Sequence, residues 1–231
     1  MRWKQKGKGV EAQMEIKSIL QHVDHTILSP QAKWEEVKTI CEEAKWGQAA
    51  SVCIPPCYVA QAAEYLKGSI PVCTVVGFPH GNVTSAIKAL EAEHALRSGA
   101  AEIDMVINLG MVKDQRWDAL LSELCVLRAV CQGAILKVIV ETCLLTEEEK
   151  RKLCHLVSEA KADYIKTSTG FSTGGATVED VRLFHAILPK EVKIKASGGI
   201  RTFEAAQAML EAGAYRLGSS ALIPMAKQQK I

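Results

Sequence analysis

Four charged side chains interrupt runs that otherwise read as buried strand: Asp104 between Ile103 and Met105, Lys137 between Leu136 and Val138, Lys166 after Ile165, and Lys195 between Ile194 and Ala196. A charge in an apolar layer is costly unless it is paired or put to use, so these four are expected to face inward and to meet. Lysines gathered in one place disfavour each other's charged form. One of them is therefore expected to fall from an ordinary pKa of about 10.4 towards roughly 7 to 8 and to present a neutral amine. Such an amine adds to a carbonyl carbon to give a Schiff base, and an aspartate among the lysines can move the protons. Asp24 and Glu141 are expected to join the group. Each charge taken singly also fits a structural ion pair or a rim residue whose head stays in water. The convergence of three lysines with an aspartate is what favours chemistry.

A second set of residues suits a phosphate. Lys166 runs into a loop rich in glycine and hydroxyl groups that holds Thr169 and Gly170, and two further short segments have the same character, Gly198-Gly199-Ile200-Arg201 and Gly218-Ser219-Ser220. Backbone N–H groups in such turns can cradle an anion, and barrel enzymes often hold a substrate phosphate on the loops after their seventh and eighth strands. One such segment alone would read as a turn. Cys53 shares a strand face with Ser51 and either lines the pocket or packs as a small hydrophobe. His22 and His25 have the H-x-x-H spacing without an accompanying ligand pattern, so no metal and no cofactor is expected. His80, within Gly77-Phe-Pro-His-Gly81, either fixes that loop or touches substrate, and Trp34, Trp46 and Trp117 lie on helical stripes as packing residues.

These residues must be positioned by the elements around them. Strand patterns cover 22–28, 49–55, 70–78, 101–108, 134–141, the stretch from 162 into Lys166, 192–197 and 214–218. Helical patterns alternate with them: one starting at Ser29-Pro30 as N-cap and first helical residue, then 56–67, 83–98, 116–130, and 146–160 with Thr146 and Glu149 as a capping box. The next opens at Thr177 with Asp180 as box partner, and the last runs over 202–212. The expected fold is α/β, a single (β/α)8 TIM barrel with a short N-terminal helix over 11–21, because unbroken alternation fits a closed parallel barrel better than an open sheet. Residues 1–13 form a basic leader expected to be disordered, and 14–231 form the barrel.

The composition narrows the partners. In 231 residues, 28 Lys+Arg against 26 Asp+Glu leave a formal charge of +2, too balanced to point to nucleic acid or a membrane surface. The eight cysteines form no C-x-x-C and no dense framework, so they read as reduced thiols of a cytoplasmic protein. No run of about 18 apolar residues occurs. The expected partner is a small molecule, and apolar helix faces on a barrel of this size lead us to expect a homo-oligomer, a dimer or tetramer.

The chain resembles the deoxyribose-phosphate aldolase family from about Asp24 to Ala221. The resemblance rests on Asp24-His-Thr26, Ser51-Val-Cys53, Val76-Gly-Phe-Pro-His-Gly81, Glu102-Ile-Asp-Met-Val-Ile-Asn108 and Leu136-Lys-Val-Ile-Val-Glu-Thr142. It continues through Tyr164-Ile-Lys-Thr-Ser-Thr-Gly-Phe171, Ile194-Lys-Ala-Ser-Gly-Gly-Ile-Arg201 and Arg216-Leu-Gly-Ser-Ser220. It implies a metal-free class I aldolase that reversibly cleaves 2-deoxy-D-ribose 5-phosphate to acetaldehyde and D-glyceraldehyde 3-phosphate. Lys166 matches the family's Schiff-base lysine, Lys195 the neighbouring lysine that tunes it, and Asp104 the acid/base aspartate. Lys137 falls on a further pocket lysine with an orienting role, while Gly170, Gly198, Gly199, Arg201 and Ser220, with Ser219 nearby, correspond to the phosphate region. Asp24, Cys53 and Thr169 complete the expected substrate pocket. A Schiff-base barrel aldolase for another sugar phosphate and a non-catalytic phosphate-binding barrel are the alternatives. The tail Ala226-Lys-Gln-Gln-Lys-Ile231 departs from longer members in having no tyrosine.

Overall fold

Eight parallel strands close on themselves in sequence order in the computed structural model, which describes residues 15–229. They are β1 (Val23–Thr26), β2 (Ser51–Ile54), β3 (Val72–Val76), β4 (Glu102–Val106), β5 (Ile135–Ile139), β6 (Tyr164–Lys166), β7 (Lys193–Ser197) and β8 (Arg216–Ser219). Each is short and buried on both faces, which is why Val, Ile and Cys dominate where a half-exposed strand would alternate with polar residues. Pairing of β1 with β8, Asp24 opposite Gly218, completes the barrel. The expected TIM barrel is therefore the observed one.

The helices form the outer layer: α1 (Ile16–Leu20), α2 (Trp34–Gly47), α3 (Val59–Leu66), α4 (Ser85–Arg97), α5 (Leu109–Lys113), α6 (Trp117–Val130), α7 (Glu147–Glu159), α8 (Val178–Ile187), α9 (Phe203–Glu211) and α10 (Leu222–Gln228). None among the described residues is long and apolar enough to cross a membrane. Their starts follow local chemistry. Thr146 accepts from the Glu149 N–H at 3.2 Å while its own N–H donates to the Glu149 carboxylate at 2.7 Å, the expected reciprocal cap of α7. At α8 only half of the expected box forms. Thr177 accepts from the Asp180 N–H at 3.0 Å, but the Asp180 carboxylate turns to Lys150 at 2.6 Å and ties α8 to α7 instead.

Two boundaries differ from the sequence reading. Ser29-Pro30 does not open a helix: the Ala32 N–H closes a turn on the Ser29 carbonyl at 3.0 Å, and α2 begins after Lys33, whose N–H is held by Glu36 at 2.9 Å. A glutamate at the third helical position selected the later start. The short α5 was not expected, since Gly110 lies inside it, and it is set by Asn108, whose side chain accepts the Met111 N–H at 3.2 Å. The expected 1–13 leader and the start of the 11–21 helix lie outside the described residues. Trp34 and Trp117 pack on the core as expected, whereas Trp46 is 45% exposed.

Behind the sheet, Lys88 of α4 and Glu123 of α6 form a fully buried ion pair at 2.8 Å, with Ser85 donating to the second Glu123 oxygen at 2.9 Å. One helical turn along α4, Glu91 accepts the Gly77 N–H at 2.7 Å and so anchors the loop that follows β3. The outer layer thus fixes one of the loops at the barrel's upper mouth.

Candidate active site

Strand parity turns every second residue toward the barrel axis, and that inward face carries charge on six of the eight strands, all but β2 and β3. Lys166 of β6 and Lys195 of β7 are register partners, as are Asp104 of β4 and Lys137 of β5. Asp104 is fully buried and stands at the centre of all three lysines. Its Oδ2 receives Lys166 Nζ at 2.8 Å and Lys195 Nζ at 2.6 Å, while its Oδ1 receives Lys137 Nζ at 2.8 Å and the Cys73 thiol at 3.2 Å. Asp24, from β1, pairs with Lys195 and, at 2.5 Å, with Arg216. Glu102 pairs with Lys137 at 2.5 Å and with Arg216 at 3.3 Å.

The structure corrects the expectation that lysine repulsion governs this site. Three carboxylates are interleaved with four cations, so attraction exceeds repulsion for most of the set. Burial alone would pull Lys137 down, yet Asp104 together with Asp24 and Glu102 holds it well above the usual lysine range. Lys195 is likewise raised, burial being outweighed by Asp104 and Asp24. Burial would raise Asp104, but Lys137, Lys166 and Lys195 hold it well below the ordinary carboxylate range, and Asp24 is lowered in the same way by Lys195, Lys137 and Arg216. Lys166 differs in position: it has one carboxylate contact, where Lys137 has three and Lys195 two.

Lys166 is also the lysine that reaches open space. A cavity of about 330 Å³ at the upper mouth is lined by Lys166 and by Thr169, Gly170, Gly198, Gly199, Arg201, Ser219 and Ser220. The sequence-predicted phosphate residues therefore share one wall with the candidate nucleophile. Asp104, Lys195, Lys137, Asp24 and Cys53 lie behind it, all fully buried. Ser219 lines the cavity, but its hydroxyl donates to the Ile200 carbonyl at 2.8 Å and accepts the Ala221 N–H at 3.1 Å. Its role there is to shape the turn, which leaves the exposed Ser220 hydroxyl facing solvent.

The cavity wall depends on close contact between loops. A side-chain carbon on Gly175 would lie 2.3 Å from the Gly198 carbonyl oxygen, and Gly198 itself has φ +86°, a conformation natural only to glycine. The Ala176 N–H donates to the Ser197 carbonyl at 3.0 Å across the same seam. Thr167, Ser168 and Ser197 are buried beneath it in a hydroxyl network, with Ser197 Oγ donating to the Ser168 carbonyl at 2.6 Å.

Glu141 does not join the lysines. It adopts φ 57° after β5, and its buried carboxylate accepts the Thr169 N–H at 3.2 Å and the Thr169 hydroxyl, holding the loop after β6. Lys193, at the lower entry of β7, is exposed and sits 3.9 Å from the centre of the Tyr215 ring. Cys73, Glu102 and Arg216 are site residues the sequence reading passed over. The signal was present, since Glu102 lies two residues before Asp104 on one strand face and Arg216 two before Gly218.

Residues 18–223 match the family described as DeoC/LacD family aldolase. A deoxyribose-phosphate aldolase of Streptococcus agalactiae is 50% identical over 218 residues, covering 94% of this chain and 98% of that protein. A solved structure from Coccidioides immitis superimposes with a TM-score of 0.91 at 41% identity, over 95% of this chain and 88% of that one. The deoxyribose phosphate aldolase of Aeropyrum pernix, a tetramer, gives a TM-score of 0.85 at 28% identity over 94% of each chain. On the match to the family over most of its length, and on identity at half of its positions to a full-length relative, this chain belongs to the DeoC/LacD family of aldolases.

Proposed function

We propose that this chain is a class I aldolase that reversibly cleaves 2-deoxy-D-ribose 5-phosphate to acetaldehyde and D-glyceraldehyde 3-phosphate through a Schiff base on Lys166. The observation that carries this reading is the placement of Lys166: on the wall of the cavity ringed by Thr169, Gly170, Gly198, Gly199 and Arg201, with its nitrogen 2.8 Å from Asp104. A phosphate on the glycine loops directs the open-chain aldehyde at the other end of the sugar towards the lysine.

The deprotonated Lys166 amine attacks C1, water leaves, and the resulting iminium withdraws electrons as the C2–C3 bond breaks. The C3 hydroxyl proton must depart in the same step, and Asp104 is the base, acting directly or through water. The three-carbon aldehyde phosphate is released, and the enamine left on Lys166 is protonated at C2 and hydrolysed to acetaldehyde. Lys195 remains an ammonium 2.6 Å from the same Asp104 oxygen, so it orients that carboxylate and holds its charge when Lys166 loses its proton. Lys137 fixes the opposite oxygen. Every group needed for proton movement lies on a strand, where backbone motion is small.

The test is reductive trapping. Borohydride added during turnover with 2-deoxy-D-ribose 5-phosphate should give one covalent adduct, and peptide mass mapping should place it on Lys166. An adduct on another lysine, or cleavage with no trappable species, would overturn the assignment.

Glu141 gives a separate expectation for the phosphate side. Glu141→Gln weakens the hold on Thr169 without emptying the space. Loss of a charge-assisted hydrogen bond is worth about 1.5 kcal/mol, so KM for the phosphorylated sugar should rise about tenfold while kcat changes little. Steady-state kinetics against unphosphorylated 2-deoxyribose, for which KM should stay unchanged, isolates the effect.

We further propose that the protein acts in the cytoplasm as a homo-oligomer, a dimer or tetramer. The exposed Ile87 and Leu90 on α4, 46% and 60% accessible, are apolar residues of the kind that subunit contacts cover, and the Aeropyrum pernix relative is tetrameric.

A further inference from the structure

One pair of groups inside the barrel is not used by the aldol chemistry. Cys53 of β2 and Cys73 of β3 are register partners, both are fully buried, and their sulfurs lie within 4.8 Å of each other and of the Asp104 carboxylate. Neighbouring strands run about 4.8 Å apart, within the roughly 4.4–6.8 Å between Cα atoms that a disulfide spans. Cys73 is tied into the site: its thiol donates to Asp104 Oδ1 at 3.2 Å and its sulfur receives Lys137 Nζ at 3.3 Å. Ammonium groups favour thiolate character in a nearby sulfur, which is what reacts with oxidants, and of the pair it is the Cys53 thiol that is lowered.

We propose that Cys53 and Cys73 are a peroxide-sensitive dithiol whose oxidation to a disulfide switches the enzyme off. Cys53, as thiolate, attacks one oxygen of hydrogen peroxide. The O–O bond breaks, the departing hydroxide is protonated to water, and Cys53 becomes a sulfenic acid. Cys73 then attacks that sulfur. The S–O bond breaks, the leaving hydroxide takes the Cys73 proton, and a second water is released. In sum two thiols are oxidised by two electrons, and one peroxide is reduced to two waters. The consequence falls on Asp104, which loses the Cys73 S–H while the sulfur that Lys137 meets is drawn towards Cys53, so the carboxylate is held differently. In this proposal peroxide, close to water in size, reaches the buried pair from the cavity that Lys166 lines.

Roles within the pair follow from their surroundings. The adjoining Cys73 side chain lowers the Cys53 thiol below its ordinary value, with Lys195 and Lys166 contributing, whereas burial pushes Cys73 well above. Cys53 is thus the attacking residue and Cys73 the resolving one. The buried cysteines of the helix layer are poorer competitors: burial raises Cys41 and Cys131 to about 11 and Cys154 to about 12.

The proposal's activity readout rests on the aldolase reading, whereas its chemical readout does not. The full-length reduced protein is treated with hydrogen peroxide, quenched with iodoacetamide and digested without reductant. A peptide linking Cys53 to Cys73 should accumulate, and cleavage activity should fall about tenfold or more in step with it, returning on addition of dithiothreitol. In Cys73→Ser, peroxide should instead leave a sulfenic acid on Cys53, captured by dimedone. Alkylation of both cysteines after activity has been lost, a link to a different cysteine, or linkage with full activity would each overturn the proposal. If the untreated protein fails to cleave the sugar phosphate, the functional reading fails, and the linked peptide alone still decides the dithiol.

Discussion

Lys166→Ala should lower kcat for cleavage of 2-deoxy-D-ribose 5-phosphate by about 10⁴-fold or more, a rise in barrier of about 5 kcal/mol. The alanine has no nitrogen to form the iminium, and among the described residues no other lysine lines the cavity: Lys137 and Lys195 lie behind the wall, fully buried and held as ammonium ions by carboxylates. Stability should change little. Lys166 makes a single ion pair, and Asp104 keeps Lys137 and Lys195 when it is gone. Lys166→Arg separates charge from chemistry, because it preserves a cation beside Asp104 but cannot form the Schiff base, and it should be equally inactive. Wild-type turnover in either variant, measured by coupled detection of the released triose phosphate, would sink the mechanism.

Asp104→Asn should damage both activity and stability. The amide is a poor base, so kcat should drop about 10²- to 10⁴-fold. The fold is affected because three lysines lose their shared carboxylate inside the barrel. Removing one partner of a buried ion pair commonly costs about 3–5 kcal/mol, and since Asp24 and Glu102 still hold Lys195 and Lys137 the lower end applies, about 3 kcal/mol. For a domain of this size that is a fall in Tm of about 6–12 °C, readable by calorimetry. The pH dependence has a definite sign. A carboxylate depressed in the folded state stabilises above its unfolded pKa of about 3.9, and that stabilisation is lost as pH falls towards the folded value. The wild-type advantage over Asp104→Asn should therefore be full at pH 7 and narrow only in strong acid. An equal Tm for the two proteins at neutral pH would show that Asp104 is not the hub.

The inward charged cluster was legible because a charge within an apolar strand has few explanations. Asp104, Lys137 and Lys195 are each flanked by Ile, Leu, Val, Met or Ala, Lys166 follows Ile165, and the cost of a charge in an apolar layer put all four on the axis. Glu102 and Arg216 sit at the first positions of their strands, where a charge reads as a solvated end, so the same reasoning went unused. Cys73 was hidden by its apolar character. The electrostatic balance was out of reach for a different reason: a sequence gives the sign of each charge but not the 2–4 Å distances that decide whether repulsion or pairing prevails. Glu141 shows the same limit, since nothing before the loop's folding tells that its carboxylate meets Thr169. The start of α2 was misplaced because Ser29-Pro30 satisfies local rules that Glu36, acting three residues back on Lys33, overrides.

The charged axis also bears on assembly. Side chains alternate along a strand, so sliding β4 by a single residue would turn Asp104 into the helix layer and leave the lysines of β5, β6 and β7 facing one another with their common anion gone. An apolar interior would tolerate such a slip through repacking. Here the misaligned alternatives carry an electrostatic penalty, so the groups to which we assign the reaction also act as a proofreading device for the shear of the closed sheet.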